Sequence, residues 1–152
     1  MKKVVLAFAL LFGSLCIASA AVTDNDRIPY DKLPTAARTF IEKTFPGVNA
    51  VKCEKEKGWT QYDVRLSNGV EIEFDRAGNW LEIESNNGPF TMMMLNLLPS
   101  KAVNYINTNF NGQGVKKVER KRNGYEVKVM TNPKTEVKFD KNGNFSSQKI
   151  DD

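Results

Sequence analysis

The stretch Val70–Trp80, VEIEFDRAGNW, returns 65 residues later as Thr135–Phe145, TEVKFDKNGNF. In both copies apolar and charged residues alternate up to a Phe-Asp pair, and a Gly-Asn-aromatic triplet follows. Period-two alternation marks a strand with one buried face. Asp75 and Asp140 can accept hydrogen bonds from the amides of a tight turn, and Gly78 and Gly143 can take the positive φ that such a turn requires. Each copy therefore reads as strand, turn and the start of another strand. The sequence leaves the facing of Trp80 open. A four-residue loop puts Leu81 and Ile83 with the core and Trp80 outside, whereas a bulge reverses this.

Upstream, Leu33–Phe45 (LPTAARTFIEKTF) matches Leu98–Phe110 (LPSKAVNYINTNF) at the same offset of 65. Pro34 and Pro99 suit the first helical turn. Ala37, Phe40, Ile41, Thr44 and Phe45 follow the spacing of one buried helical stripe, as do Ala102, Tyr105, Ile106 and Phe110. Pro46-Gly47 and Asn111-Gly112 end these helices. Between helix and repeated turn, Tyr62, Val64 and Leu66 alternate with polar residues. A three-residue Ser67-Asn68-Gly69 loop pairs Leu66 with Val70 and Val64 with Ile72, apolar with apolar. A Gly58-Trp59 turn pairs Cys53 with Val64 and Val51 with Leu66. In the second copy an Asn123-Gly124 turn pairs Val118 with Val129. The offset reads 67 at Val48/Val115 and Val51/Val118, then 63 at Tyr62/Tyr125 and Val64/Val127.

Length changes confined to turns indicate one supersecondary unit used twice. The expected fold is α+β: two tandem helix-plus-four-stranded antiparallel units, residues 28–84 and 98–150, joined by a linker at 85–97. They form one extended curved sheet with both helices on one face. A unit of this size offers about a dozen large core side chains, each contributing roughly 1.5–3 kcal/mol when buried, so pairing two should stabilise both. The uncharged segment SNNGPFTMMMLNLLP, Ser85–Pro99, reads as linker core. Its Met93-Met94-Leu95 corresponds to Ile28-Pro29-Tyr30. An adaptable peptide-binding patch is the alternative use of its methionines.

Residues 1–20 carry Lys2 and Lys3, an apolar run and Ala18-Ser19-Ala20, which is the pattern of a secretory signal peptide. Leu15 beside Cys16 argues against lipidation there. Export places the protein in the periplasm or outside the cell, without stable membrane insertion after cleavage. Cleavage lowers the net charge from +4 to +2 and leaves Cys53 as the remaining cysteine, read as a buried small hydrophobe. The sequence contains no histidine, which excludes His-based triads and His-ligated metals.

The remaining chemistry is sparse. The Asp75 and Asp140 loops resemble the opening of a calcium-binding loop but lack its further ligands and flanking helices, and they read as turns. Glu71/Glu73 and Glu82/Glu84 lie on alternating strands as a solvated face beside Arg65 and Lys52 rather than as a hydrolytic pair. No cofactor is called for. Residues 33–84 carry seven Lys/Arg and nine Asp/Glu, whereas 98–150 carry eleven and four. Such a gradient steers charged partners. The basic run Lys116–Arg122 lacks interleaved aromatics, which argues against nucleic acid.

The twin Leu-Pro helix openings, the Phe-Pro-Gly after the first helix, the Tyr-Asp-Val and Tyr-Glu-Val strands and the twin Phe-Asp-x-x-Gly-Asn-aromatic turns resemble the PepSY-like family related to the beta-lactamase inhibitor protein fold. The resemblance implies exported tandem units with a binding or inhibitory role and supplies no catalytic residues. The expected function is a non-enzymatic module that binds an unidentified protein or peptide on its open sheet face. The expected binding residues are Trp59, Trp80, Asp63, Arg65, Glu71, Glu73, Lys128 and Lys138. The alternative is a carrier of a small apolar ligand held between helices and sheet, with Met92–Leu98 as its lid. Oligomeric state is not legible.

Overall fold

The computed structural model describes residues 26–56 and 61–151. The signal peptide assigned to 1–20, Cys16 and the Gly58-Trp59 turn lie outside them. After a single 3-10 turn at Tyr30–Lys32 come α1 (Thr35–Thr44), β1 (Ala50–Lys55), β2 (Tyr62–Leu66), β3 (Val70–Phe74) and β4 (Trp80–Ser85). The short α2 (Met92–Leu95) leads to α3 (Ser100–Asn109), β5 (Val115–Lys121), β6 (Gly124–Val129), β7 (Lys134–Asp140) and β8 (Phe145–Asp151). The strands form one eight-stranded sheet in sequence order, each antiparallel to the next. This is an α+β fold built from two tandem helix-plus-four-strand units.

Alternation decides which side is buried. Val64, Leu66, Val70, Ile72 and Phe74 join Ala37, Ile41 and Phe45 of the first helix region in a core that continues into Val118, Val127, Val137, Phe139, Ala102 and Ile106. Val64 opposes Ile72, as the three-residue loop requires, and Gly69 has φ +83°.

Bulges in β4 and β1 and a displaced turn between β5 and β6 decide details of facing and pairing. Between Glu73 and Phe74 the register shifts, so that Glu73 faces Glu82 while Phe74 faces Trp80 and Leu81 is the extra residue. Trp80 consequently turns to the helix side and is 7% exposed. The same shift between Lys138 and Phe139 sets Phe139 opposite Phe145. In β1 a bulge between Ala50 and Lys52 gives Leu66 the partner Ala50 rather than Val51, which is 48% exposed. In the second unit Val118 pairs with Val127 rather than Val129, and a bulge at Lys116, between Val115 and Lys117, pairs Val129 with Val115. The turn there is Arg122-Asn123, because Lys121 already pairs with Gly124. A side chain at Gly124 would collide with the carbonyl of Phe139. The structural offset therefore stays at 65 through β1 and β5, as Cys53/Val118 shows, instead of rising to 67.

The helices are fixed by the two Asp-x-x-Gly turns, at Asp75–Gly78 and Asp140–Gly143. Asp75 Oδ1 accepts from the amides of Ala77 and Asn79, both at 2.9 Å, and Asp140 does the same for Asn142 (2.8 Å) and Asn144 (2.9 Å). Gly78 has φ +88° and lies so close to the start of α1 that a Cβ would stand 2.7 Å from the Ala37 nitrogen and 2.9 Å from Pro34 Cβ. Gly143 meets Ala102 N (2.9 Å) and Pro99 Cβ (2.8 Å) in the same way. Pro34 and Pro99 occupy the N-cap positions, extended at ψ 141° and 144°.

The units join along β4 and β5, with Glu82 opposite Glu119, Ile83 opposite Val118 and Glu84 opposite Lys117. Trp80 bridges the joint. Its ring stacks on Phe40 of α1 (6.4 Å between centroids) and contacts Tyr125 of β6 (6.4 Å). The Arg120 guanidinium sits 4.9 Å above it. The linker contributes Phe90, Met94 and Leu98 to the core, while Met92 and Met93 remain exposed.

Replacing Gly78 or Gly143 with Ala combines left-handed backbone strain with overlap against a helix terminus. Each substitution is expected to cost about 2–3 kcal/mol in urea denaturation. Gly47→Ala, at φ +76° with open space around it, should cost about 1–2 kcal/mol. Equal losses at all three positions would contradict the close-approach account.

Candidate recognition face

The side of the sheet opposite the helices carries the other half of each alternating strand. Because every strand is antiparallel to its neighbour, the register lines these residues up across the sheet. One row runs Glu54, Asp63, Glu73, Glu82, Glu119, Glu126, Lys138 and Ser147. Six carboxylates thus occupy six adjacent strands, spaced by the roughly 4.8 Å between strands. The neighbouring row runs Lys52, Arg65, Glu71, Glu84, Lys117, Lys128, Glu136 and Lys149.

Like charges opposite one another repel, and cations within and beside the acidic row answer part of it. Lys117 Nζ lies 2.6 Å from Glu82 and 3.2 Å from Glu119. Lys121 bridges Glu119 and reaches Glu126, which also receives Lys138 at 2.9 Å. Arg65 donates to Glu71 through Nε at 2.7 Å and Nη2 at 2.6 Å, and Lys52 meets Glu54 at 2.7 Å. At the first-unit end, Asp63 and Glu73 face each other at the floor of a shallow depression of about 250 Å³ lined also by Lys52, Glu54, Glu56, Arg65 and Glu71.

The electrostatics follow. Partial burial, with Glu56, Glu54, Glu71 and Glu82 nearby, pushes Asp63 up to about 6. Burial, reinforced by Glu82 and Asp63 and only partly offset by Lys117, pushes Glu73 up to about 7. Glu82 is also raised, by burial, against the opposing pull of Lys117. Burial works against the charge of Glu119, but Lys121 and Lys117 hold it below the ordinary range. Asp63 and Glu73 therefore change charge near neutral pH, while Glu119 stays ionised.

Of the sequence-predicted residues, Asp63, Arg65, Glu71, Glu73, Lys128 and Lys138 all lie in these two rows. Trp80 does not: the bulge in β4 buries it against Phe40, which removes it as a surface anchor. Trp59 lies outside the described residues. Sequence reading missed that Glu54, Glu82, Glu119 and Glu126 continue one line. The signal was available once every strand register was chained to the next. The carboxylates of Asp75 and Asp140 are taken up by N–H donors of their own turns, including the side-chain amides of Asn79 and Asn144. Among the described residues no group of three or more His, Cys, Asp or Glu is placed to hold a metal ion, and no helix is long and apolar enough to cross a membrane.

A family model described as "Putative beta-lactamase-inhibitor-like, PepSY-like" matches residues 21–71 and 60–147. No curated protein matches the chain. Among solved structures, a periplasmic protein of unknown function from Bacteroides vulgatus is 36% identical with a TM-score of 0.68, over 80% of this chain and 94% of its own. A second B. vulgatus periplasmic protein, of the DUF2874 family, is 32% identical with a TM-score of 0.71, over 84% of this chain and 98% of its own. A Bacteroides thetaiotaomicron protein described as a "putative calcium-regulated periplasmic protein" is 30% identical with a TM-score of 0.71, over 83% and 98%.

Asp63 and Glu73 hold protons more tightly in the native than in the unfolded chain, so stability falls as pH rises from about 4 through about 7. Asp75, Asp140 and Glu119, with lowered values, act oppositely and lose their contribution only below about pH 4. Thermal melts should show Tm decreasing between about pH 5 and about pH 8. Glu73→Gln should remove much of that slope and gain about 1 kcal/mol at the upper end, after allowance for solvent screening. A slope unchanged by Glu73→Gln would contradict the assignment.

Proposed function

The chain belongs to the PepSY-like, beta-lactamase-inhibitor-like family, and from that premise we propose that it is an exported, periplasmic, non-enzymatic binding protein whose open sheet face holds a protein or peptide partner. The observation that carries this reading is the pair of charged rows lined up across the strands on the face opposite the helices. A sheet whose outer side served solubility alone would need only scattered charges of both signs. Here carboxylates are concentrated in one line and remain incompletely answered at Asp63 and Glu73, at a cost visible in their raised pKa values. A partner presenting cations to that line recovers this energy on binding, and the mixed row beside it fixes orientation. Inhibition is the form of binding to which the family description points. The periplasmic naming of similar Bacteroides proteins supports the location.

The alternative, a carrier of a small apolar ligand, has less support. Met94 and Leu98, which would form its lid, are themselves buried in the core. The apolar hollow of about 590 Å³ beside Tyr30, Ile41, Phe45 and Val48 lies at the outer end of α1 rather than beneath that segment.

The test uses immobilised full chain and periplasmic extract. Wild type and a Lys43→Glu control on the exposed side of α1 are expected to retain the same partner, and a Glu73→Lys, Glu82→Lys double variant at least about tenfold less, with native circular dichroism in all three. Equal retention by the double variant would contradict the face as the binding surface.

A further inference from the structure

The two edges of the sheet are treated differently. The outer edge of β1 is bonded by the chain leading into the fold: Arg27 bridges to Glu54, Ile28 N–H donates to Cys53 O (2.9 Å) and Lys55 N–H to Asp26 O (2.8 Å). At the other end β8 pairs with β7, and no described segment pairs with its outer side.

The duplication supplies a template for what β8 can receive. At the offset of 65, β8 is the counterpart of β4: Phe139 opposes Phe145 as Phe74 opposes Trp80, and Glu136 opposes Lys149 as Glu71 opposes Glu84. Strand β4 carries β5 on its outer side, and Arg120 and Tyr125 beyond it cover Trp80. Phe145 keeps the inner half of that arrangement, stacking on Tyr105 at 4.7 Å and 12°. Yet it is 43% exposed where Trp80 is 7%, and Ile150 is 60% exposed where Ser85 is 6%. The partner half is what differs.

We propose that β8 is a second binding element, which accepts an extended segment of a partner protein as a ninth antiparallel strand, in the geometry by which β4 accepts β5. Main-chain hydrogen bonds supply the affinity in such strand addition, and side chains supply the choice. The choice here is readable from the substitutions. Lys149 stands where Glu84 faces Lys117, so the incoming strand carries a carboxylate where β5 carries a lysine. Gln148 stands where Ile83 faces Val118, which weakens apolar pairing at the centre and disfavours end-to-end growth of the sheet by copies of this chain. Flanking apolar residues of the segment cover Phe145 and Ile150. Lys149 also ends the mixed row, but the hydrogen-bonding edge of β8 lies away from the six carboxylates of the acidic row, and either site can fail without the other.

The probe is a synthetic peptide with the β5 sequence, residues 115–121, carrying Lys117→Glu. Hydrogen–deuterium exchange on the full chain is expected to show the β8 amides that point away from β7 unprotected alone and protected with peptide, while β1 is unchanged. A peptide N-methylated along its backbone should not protect. Lys149→Glu should reverse the preference between this peptide and the unsubstituted β5 peptide, by about threefold in each direction. The proposal is overturned if the outward-pointing β8 amides are protected in the free monomer, if sedimentation shows that the chain closes this edge with a second copy, or if saturating peptide leaves their exchange unchanged.

Discussion

Everything in this molecule rests on how closely a turn glycine approaches the start of a helix. Gly78 and Gly143 bring the β3–β4 and β7–β8 turns to within van der Waals limits of the first turns of α1 and α3. That contact needs positive φ, the absence of a Cβ, a carboxylate to hold the turn, and a proline to end the chain's extended approach and begin the helix. The Leu-Pro and Phe-Asp-x-x-Gly-Asn motifs, far apart in sequence, are two sides of one contact. By fixing each helix to one side of its four strands, the contact also determines that the other side faces away from both helices.

Joining the units converts two marginal cores into one. Ile83, fully buried at the centre of the joint, and Trp80, held between Phe40 of one unit and Arg120 and Tyr125 of the other, make the β4–β5 seam part of the interior. The consequence for the other face is geometric. Because the sheet is continuous and antiparallel throughout, charges that are merely alternate within each strand become collinear across eight. Burial then acts on a line of like charges, and the row gains a protonation equilibrium near neutrality that no single strand would have.

Much of this was legible in the sequence because its determinants are local. The helix stripes, the Asp-Gly turns, the Ser67-Asn68-Gly69 loop and the facing of Val64 and Ile72 follow from spacing and turn chemistry within a few residues. The bulges at Val51, Lys116 and Leu81 were not legible, because one inserted residue leaves composition and approximate alternation intact while moving the side chains beyond it. Trp80 shows the consequence: an aromatic that a regular hairpin would expose is instead the keystone of the joint. The acidic row escaped for a different reason. Its six carboxylates depend on five registers taken together, including the β4–β5 pairing between residues of different units.

In the proposed function the charged face stands open for recognition. Carbodiimide labelling of carboxylates, read residue by residue by mass spectrometry, tests it most directly. In the purified chain, Glu73, Glu82 and Glu119, though partly buried, should still react, and should become shielded together when periplasmic extract is added. Shielding already complete in the purified chain would mean that its own residues seal the face, and would contradict the account.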